Sequence, residues 1–204
     1  MKKFIKQIYR RFRPVILHGK DNSIKSLSKY GHGFQIDVYG DNNVIEIADD
    51  CLLSNTSVSV YGNNNRLVID KKARFMGPCR ITMEGDSTLL IGENTGIRDV
   101  QFVLKDADIV VGKLCMFSNH IVLRNTDSHK VISLEDNSVK NKPRDIRLGE
   151  HVWIGQNVTI LKGVSIGNDS VVALGTIVTK DVPANSIVAG VPSKVVKTGI
   201  KWDY

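Results

Sequence analysis

The sequence predicts an all-β protein built as a parallel β-helix, and a strict six-residue repeat is the first observation that predicts it. From Ile146 to Val182 the chain reads IRLGEH, VWIGQN, VTILKG, VSIGND, SVVALG and TIVTKD. The first and third positions of these hexads are all Val, Ile, Leu, Ser or Thr. Neither the period of an α-helix nor the alternation of a single strand explains a period of six. Such repeats are typical of a solenoid in which each short strand stacks on its copy one coil away.

A looser repeat precedes the hexads and is the second observation. VYGDNNVIEI (38–47), VYGNNNRLVI (60–69), MEGDSTLLIG (83–92) and LKDADIVVG (104–112) recur at intervals of 22, 23 and 21 residues. Each segment pairs a corner rich in Gly, Asn or Asp with an apolar strand, and these residues suit turns that need a positive φ. We interpret residues 31–128 as irregular coils of the same solenoid, each enlarged at one corner.

The part of the chain after residue 128 contains a loop, the regular hexads and a C-terminal tail. Residues 129–145, HKVISLEDNSVKNKPRD, are too polar and irregular for a coil, so we expect a loop that protrudes from the solenoid. Loops of this length in compact folds are usually functional or disordered. Regular hexads then occupy residues 146–188, and a tail over residues 189–204 closes the helix.

The N-terminal segment 1–13, MKKFIKQIYRRFR, is basic and places Ile5, Ile8, Tyr9 and Phe12 on one helical face. This pattern predicts a short amphipathic helix, followed by a linker to residue 30. Two interpretations remain open. The helix lies on the anionic inner face of a membrane, or it packs as a cap over the first coil, which an open solenoid needs.

Composition limits the function classes. A length of 204 residues predicts one domain, or one domain with a short appendage. The net charge is +7, but no nucleic-acid-binding motif accompanies it, so no nucleic-acid partner is expected. No apolar run reaches the roughly 18 residues that span a bilayer, and no signal-peptide pattern is present. Three cysteines without a CxxC spacing predict reduced thiols packed in the core of a cytoplasmic protein.

The stretch from His129 to Lys197, with TDSHKVI, six hexads and the AGVPSK turn, resembles the hexapeptide-repeat acyltransferases. Within that family it is most similar to the sugar O-acetyltransferases of capsules and exopolysaccharides. The resemblance implies a left-handed helix, acetyl-coenzyme A (acetyl-CoA) as co-substrate, a glycan acceptor, and a homotrimer with active sites between subunits.

Acyl transfer to a hydroxyl needs a base for its proton, and the resemblance places the catalytic histidine at His129, where the loop begins. His151 is the second candidate. Asp127 lies two residues before His129 and would orient the imidazole, although a turn-forming role also explains it. Because no activated Cys or Ser is evident, we expect direct attack on the thioester in a ternary complex.

Trp153 sits at an outward position of a hexad, where it would form a wall for the acceptor or pack against a neighbouring subunit. Ser118 and Asn119 are further expected acceptor contacts, by resemblance. Small residues in VVALGT allow acetyl-CoA to lie along the coils, with the backbone amide of Ala173 at the pantetheine or thioester and lysines at the phosphates. The expected cofactor contacts are Ala173, Gly175, Thr179, Lys180, Lys194 and Lys197.

Three function hypotheses follow. The first is O-acetylation of a surface polysaccharide or its precursor. The second is N-acetylation of a nucleotide-linked amino sugar, and the third is a non-catalytic β-helix that binds or scaffolds. A zinc site built from His120, His129 and His151 is disfavoured because the required spacing is not evident.

Overall fold

The computed structural model describes residues 15–26, 28 and 31–203, and this part of the chain is a stack of short strands without a helix. The strands in chain order are β1 (Val15–His18), β2 (Ser23–Ser26), β3 (Gln35–Tyr39), β4 (Val44–Ile47), β5 (Leu52–Leu53), β6 (Thr56–Tyr61), β7 (Arg66–Ile69), β8 (Arg74–Phe75), β9 (Cys79–Glu84), β10 (Thr88–Ile91), β11 (Gly96–Ile97), β12 (Val100–Lys105), β13 (Ile109–Val111), β14 (Met116–Phe117), β15 (Ile121–Arg124), β16 (Ile146–Leu148), β17 (Trp153–Ile154), β18 (Thr159–Leu161), β19 (Ser165–Ile166), β20 (Val171–Val172), β21 (Ile177–Val178), β22 (Ser186–Ala189) and β23 (Lys194–Thr198).

These strands form three sheets, one on each face of a triangular solenoid. Sheet A contains β1, β3, β6, β9, β12, β15, β18 and β21. Sheet B contains β2, β4, β7, β10, β13, β16 and β19, and sheet C contains β5, β8, β11, β14, β17, β20, β22 and β23. Neighbouring strands pair in parallel except β22 and β23, which are antiparallel. We name the corners A–B, B–C and C–A after the sheets that they join. The parallel β-helix predicted from the repeats is confirmed.

The register shows where the irregular coils are enlarged. From sheet B to sheet C, equivalent positions are six residues apart, as for Val68 and Arg74. From sheet A to sheet B they are six apart in a regular coil, as for Thr159 and Ser165, but eleven apart for Ser57 and Val68. All the additional residues therefore lie on the sheet A side and at the A–B corner. The prediction of one enlarged corner is confirmed.

The period of six determines which side chains face the core. The first and third residues of each hexad point inward, as Val152 and Ile154 do, and both are fully buried. The second points outward, as Trp153 does with 41% of its surface exposed. The corners need a left-handed backbone, which Asn42, Asn64 and Asn157 supply with φ between 57° and 61°.

Two boundaries differ from the expected ones. Residues 14–30 were expected to be a linker, but β1 and β2 pair with β3 and β4, so the solenoid already includes Val15. The corner signal was present in the sequence, because Gly19, Asp21 and Asn22 follow β1 as Gly40, Asn42 and Asn43 follow β3. The protruding loop also begins earlier than residue 129, because the strand before it, β15, ends at Arg124 and the strand after it, β16, starts at Ile146.

The predicted amphipathic helix over residues 1–13 lies outside the described residues, so its contact with a membrane stays a prediction. Within residues 15–26, 28 and 31–203, nothing forms a helix that could cross a membrane.

Candidate active site

The loop of residues 125–145 leaves the solenoid at the A–B corner from a buried base. Asn125 is fully buried, and its side-chain oxygen accepts a hydrogen bond from the Lys105 amide at 2.8 Å. Its amide nitrogen donates to the Ala107 carbonyl at 2.7 Å. Further out, the bridge between Ile132 and Val139 closes a small hairpin with an exposed apolar tip. The loop is thus anchored where it leaves the coil.

A charged clamp fixes the part of the loop that carries His129. The Lys162 ammonium, in the corner one coil further on, donates to the Asp127 carboxylate and, at 3.1 Å, to the Asn141 carbonyl. The Asn141 amide donates to Asp127 at 2.9 Å and to the His129 carbonyl at 2.8 Å. Both ends of the loop are therefore tied to one lysine, whose side chain is only 15% exposed.

His129 itself is exposed and lines a cleft of about 260 Å³ between the loop and the A–B corner. Lys130 and Lys142 line the same cleft, and among the described residues neither ammonium has a carboxylate partner. Asp106 also lines the cleft, so Lys130 and Lys142 together leave it with a net positive charge beside an accessible imidazole.

Asp127 does not play the role expected for it in the isolated chain. Its carboxylate is held by Lys162 and Asn141, and within the described part of the chain no hydrogen bond joins it to the His129 ring. The Lys162 hydrogen bond, followed by that of Asn141, holds the pKa of Asp127 below its usual range. The Asp127 carboxylate thus holds the Asn141 side chain, and Asn141 in turn holds the His129 carbonyl.

The expected acceptor contacts lie elsewhere in the chain. Trp153 is on the outer face of sheet C, between Met116 and Val171 in register. Ser118 and Asn119 lie at the C–A corner, and strand β15 separates them from the loop. One chain therefore does not bring these three residues to His129.

Ala173 and Gly175, the small residues expected to contact acetyl-CoA, also lie at the C–A corner, but their backbone amides are already in use. The Ala173 amide, expected to face the cofactor, already donates to the Val188 carbonyl at 2.9 Å, and that of Gly175 donates to Gln156 at 2.8 Å. The Leu174 amide between them has no hydrogen-bond partner within the described residues, and its residue is 76% exposed. Leu174 is therefore the residue of this segment whose backbone N–H is free to donate a hydrogen bond.

The expected cofactor residues fall into two groups. Thr179 and Lys180 lie at the A–B corner, where Lys180 is one coil beyond Lys162. Lys194 and Lys197 lie on β23, which folds back antiparallel along β22. Lys194 pairs with Ala189, close to the C–A corner. Only this second group lies on sheet C, which ends at the corner that bears Leu174.

Each of the remaining histidines considered for chemistry has a partner of its own. His120, at the C–A corner, contacts Asp99 through Nδ1 at 2.6 Å. His151, at the B–C corner, has its Nδ1 2.8 Å from Asp169. With His129 at the A–B corner, the three histidines occupy three different corners, so one chain does not bring this set together.

Trp202 was missed in the sequence analysis, which described residues 189–204 only as a tail that closes the helix. It is 9% exposed and stacks on His151 with ring centroids 4.0 Å apart, while its Nε1 donates to the His151 carbonyl at 2.8 Å. It also contacts Trp153 at 5.9 Å. The tail is therefore packed on sheet C. A tryptophan in an otherwise charged terminal segment was the available signal.

The three cysteines are buried and unpaired, as expected. Burial raises the pKa of the Cys79 thiol to about 11 and that of Cys115 to about 12. None of these thiols has the thiolate character that a nucleophile needs.

Comparisons with known proteins agree with this architecture. The family described as bacterial transferase hexapeptide (six repeats) matches residues 145–180. The polysialic acid O-acetyltransferase of Neisseria meningitidis is 34% identical over 153 residues, which cover 71% of this chain and 68% of that protein. That of Escherichia coli O1:K1 is 34% identical over 135 residues, which cover 66% of this chain and 43% of that longer protein.

Two solved structures are similar over almost the whole chain. The polysialic acid O-acetyltransferase OatWY has a TM-score of 0.89 at 32% identity, covering 93% of this chain and 91% of that one. The polySia-specific acetyltransferase NeuO has a TM-score of 0.86 at 32% identity, covering 93% and 82%.

The fold is thus the left-handed parallel β-helix of sugar acetyltransferases. The chain belongs to the hexapeptide-repeat acyltransferase family and is an enzyme of that class. This membership sets the non-catalytic scaffold hypothesis aside.

Proposed function

We propose that this enzyme transfers an acetyl group from acetyl-CoA to a hydroxyl of an acidic surface polysaccharide or its precursor, with His129 as general base. The observation that carries the proposal is the exposed His129 in a cleft with two unpaired lysines, Lys130 and Lys142, at the base of a clamped loop. An acidic acceptor complements that charge. Two relatives are named for polysialic acid, a polymer of acidic sugars.

In the proposed reaction the neutral His129 imidazole takes the proton of the sugar hydroxyl as its oxygen attacks the thioester carbonyl. The tetrahedral intermediate collapses, the carbon–sulfur bond breaks, and the imidazolium returns the proton to the leaving thiolate. Transfer is direct because the cysteines are buried with raised thiol pKa values, which leaves them unsuited to forming an acyl-enzyme.

The clamp supports this chemistry by fixing the backbone around the base. Asn141 holds the His129 carbonyl, while Lys162 holds both Asp127 and the Asn141 carbonyl. A base that is positioned before substrate arrives does not lose conformational freedom during the reaction.

For acetyl-CoA we propose the C–A edge of the last coils. At this corner, equivalent positions of three successive coils each have a backbone N–H without a hydrogen-bond partner among the described residues. These positions are Asn119, Gln156 and Leu174. Such donors recur about every 4.8 Å along the helix axis. They suit the amide carbonyls of an extended pantetheine arm, and Lys194 and Lys197 lie further along for phosphates.

The site is completed by a second copy of the chain. His129 is at the A–B corner, the proposed donor edge is at the C–A corner, and the full width of sheet A lies between them. A ring of copies in which the A–B corner of each meets the C–A corner of the next joins the two halves. The proposed homotrimer is the closed form with three such sites.

An acceptor panel tests the proposal. Free-thiol release from acetyl-CoA is measured with polysialic acid, with a neutral polysaccharide and with nucleotide-linked amino sugars, and the product is then treated with mild alkali. We expect release with polysialic acid and an acetyl group that alkali removes, since esters are labile and amides are not. Release with amino sugars alone, giving an alkali-stable product, would establish N-acetylation and overturn the proposal.

A further inference from the structure

A notch interrupts the outer face of sheet C, on the same face as Trp153. The outward residues of successive coils are Arg74, Gly96, Met116 and Trp153, paired in register. Gly96 supplies no side chain, and a Cβ placed there would meet nothing within 4 Å. The gap forms a cleft of about 180 Å³ whose walls include Lys72, Arg74 and Met116.

Several basic residues near this notch form ion pairs within the described part of the chain, whereas the two that line it do not. Lys71 pairs with Glu93 at 3.6 Å, Lys113 pairs with Glu150 at 3.3 Å, and Arg66 pairs with Glu46 at 2.9 Å. Lys72 and Arg74 are exposed, and among the described residues neither has a carboxylate partner. Their charges are therefore free to bind an anion.

The position of the notch relative to the proposed acetyl-CoA contacts indicates which kind of anion it binds. The proposed acetyl-CoA contacts run from the Asn119 amide, in the coil of Met116, through Leu174 to Lys194 in the last coils, where the phosphates would bind. Gly96 lies on the other side of Trp153, two coils toward the N terminus, or about 10 Å along the axis. A polymer that presents one residue beside Trp153 would extend over the notch, whereas the donor phosphates would extend in the opposite direction.

We propose that this notch is an acceptor subsite that binds the carboxylate of an acidic sugar residue other than the one acetylated. Arg74 offers a planar fork of donors that matches a carboxylate in bidentate geometry, and Lys72 adds a point charge. Met116 supplies an apolar wall, and the missing side chain at Gly96 provides room for the sugar ring. The subsite rests on the proposed function because it selects acidic polymers as substrates of the same site.

The test compares Arg74→Ala and Gly96→Leu with Arg66→Ala, a matched arginine whose charge is neutralised by Glu46 on sheet B. The KM for polysialic acid, the KM for acetyl-CoA and kcat are measured for each variant, together with its melting temperature. We expect Arg74→Ala to raise the KM for the polymer about 10-fold or more, as loss of a charged hydrogen bond predicts. The KM for acetyl-CoA and kcat stay as in the wild type. Gly96→Leu, which fills the notch, has the same effect, and Arg66→Ala has none.

A rise in the KM for acetyl-CoA with no change for the polymer would assign the notch to the donor phosphates and overturn the subsite. Unchanged KM values for both substrates in a folded Arg74→Ala protein would overturn it as well. Equilibrium binding of polysialic acid to the wild type and to Arg74→Ala, measured without acetyl-CoA, separates this proposal from the proposed function. Weaker binding by the variant supports the subsite even if no transfer occurs, and equal binding contradicts it.

Discussion

Lys162 and Asp127 are 35 residues apart in sequence, and their side chains meet at the A–B corner, where the lysine ammonium donates to the carboxylate. The contact joins one coil of the solenoid to the base of the loop from the coil before it. Because Lys162 also bonds the Asn141 carbonyl, one side chain fixes both ends of the loop that presents His129.

Removing the ammonium should release the loop without unfolding the solenoid. In Lys162→Met the apolar stem remains and the charge is lost. We expect kcat to fall by up to about 100-fold, because small displacements of a catalytic group are costly, while the KM for acetyl-CoA changes little. Hydrogen exchange of peptides from residues 125–145 should accelerate. Lys113→Met, which breaks only the exposed pair with Glu150, is the control and should retain both kcat and loop protection.

The clamp also predicts a pH dependence. Its hydrogen bonds hold the Asp127 pKa below the ordinary value of about 3.9, so the clamp stabilises the loop fully at pH values above that ordinary pKa. This stabilisation is lost only as the pH falls through the lowered folded-state pKa. Loop protection, measured by hydrogen exchange relative to an unstructured reference peptide, should therefore be constant from pH 7 to about pH 5 and decrease below about pH 4. Asp127→Asn should abolish this dependence. A loss of protection near pH 6 in the wild type would point to a histidine instead.

The free amide of Leu174 can be removed selectively. Leu174→Pro lacks the N–H, whereas Leu174→Ala keeps it and loses only the exposed side chain. We expect the proline variant to raise the KM for acetyl-CoA about 3- to 10-fold, the effect of one lost hydrogen bond, and the alanine variant to stay near the wild type. Equal effects of both substitutions would show that the side chain, and not the amide, contacts the donor. Matched melting temperatures establish that the proline is tolerated.

A site shared between copies predicts complementation. His129→Ala has an intact donor edge, and Ala173→Trp, which fills that edge with an indole, has an intact loop. Each protein alone should be inactive. When the two variants are co-assembled in equal amounts, about a quarter of the sites combine an intact His129 loop from one copy with an intact acetyl-CoA edge from the next. Thiol release should then recover to about a quarter of the wild-type rate. No recovery from a mixed oligomer would mean that each site lies within one chain.

Features that depend on a few consecutive residues could be predicted from the sequence. The six-residue period fixes the direction of every side chain in the hexads, so the inward Val152 and the outward Trp153 could both be predicted. The corner that bears the loop could be located because its residues break that period. These are local properties of a few consecutive residues.

The features that escaped prediction depend on partners distant in sequence. Lys162 reaches back across 35 residues to Asp127, and Trp202 stacks on His151 across 51. Whether Ala173 or Leu174 has a free backbone N–H depends on which of them already donates a hydrogen bond to the next coil. Here Ala173 does so, to the Val188 carbonyl. Spacing within a hexad cannot reveal such pairings, because they are set by the register between coils.

The most direct test of the account is the turnover of His129→Ala with acetyl-CoA and polysialic acid, beside that of His151→Ala. We expect thiol release by His129→Ala to fall about 100- to 10,000-fold, the usual effect of removing a general base, with an unchanged KM for acetyl-CoA. His151→Ala, which loses the stack on Trp202, should be less stable but should turn over normally while folded. Full activity of His129→Ala, with activity lost in folded His151→Ala, would contradict the assignment of the base.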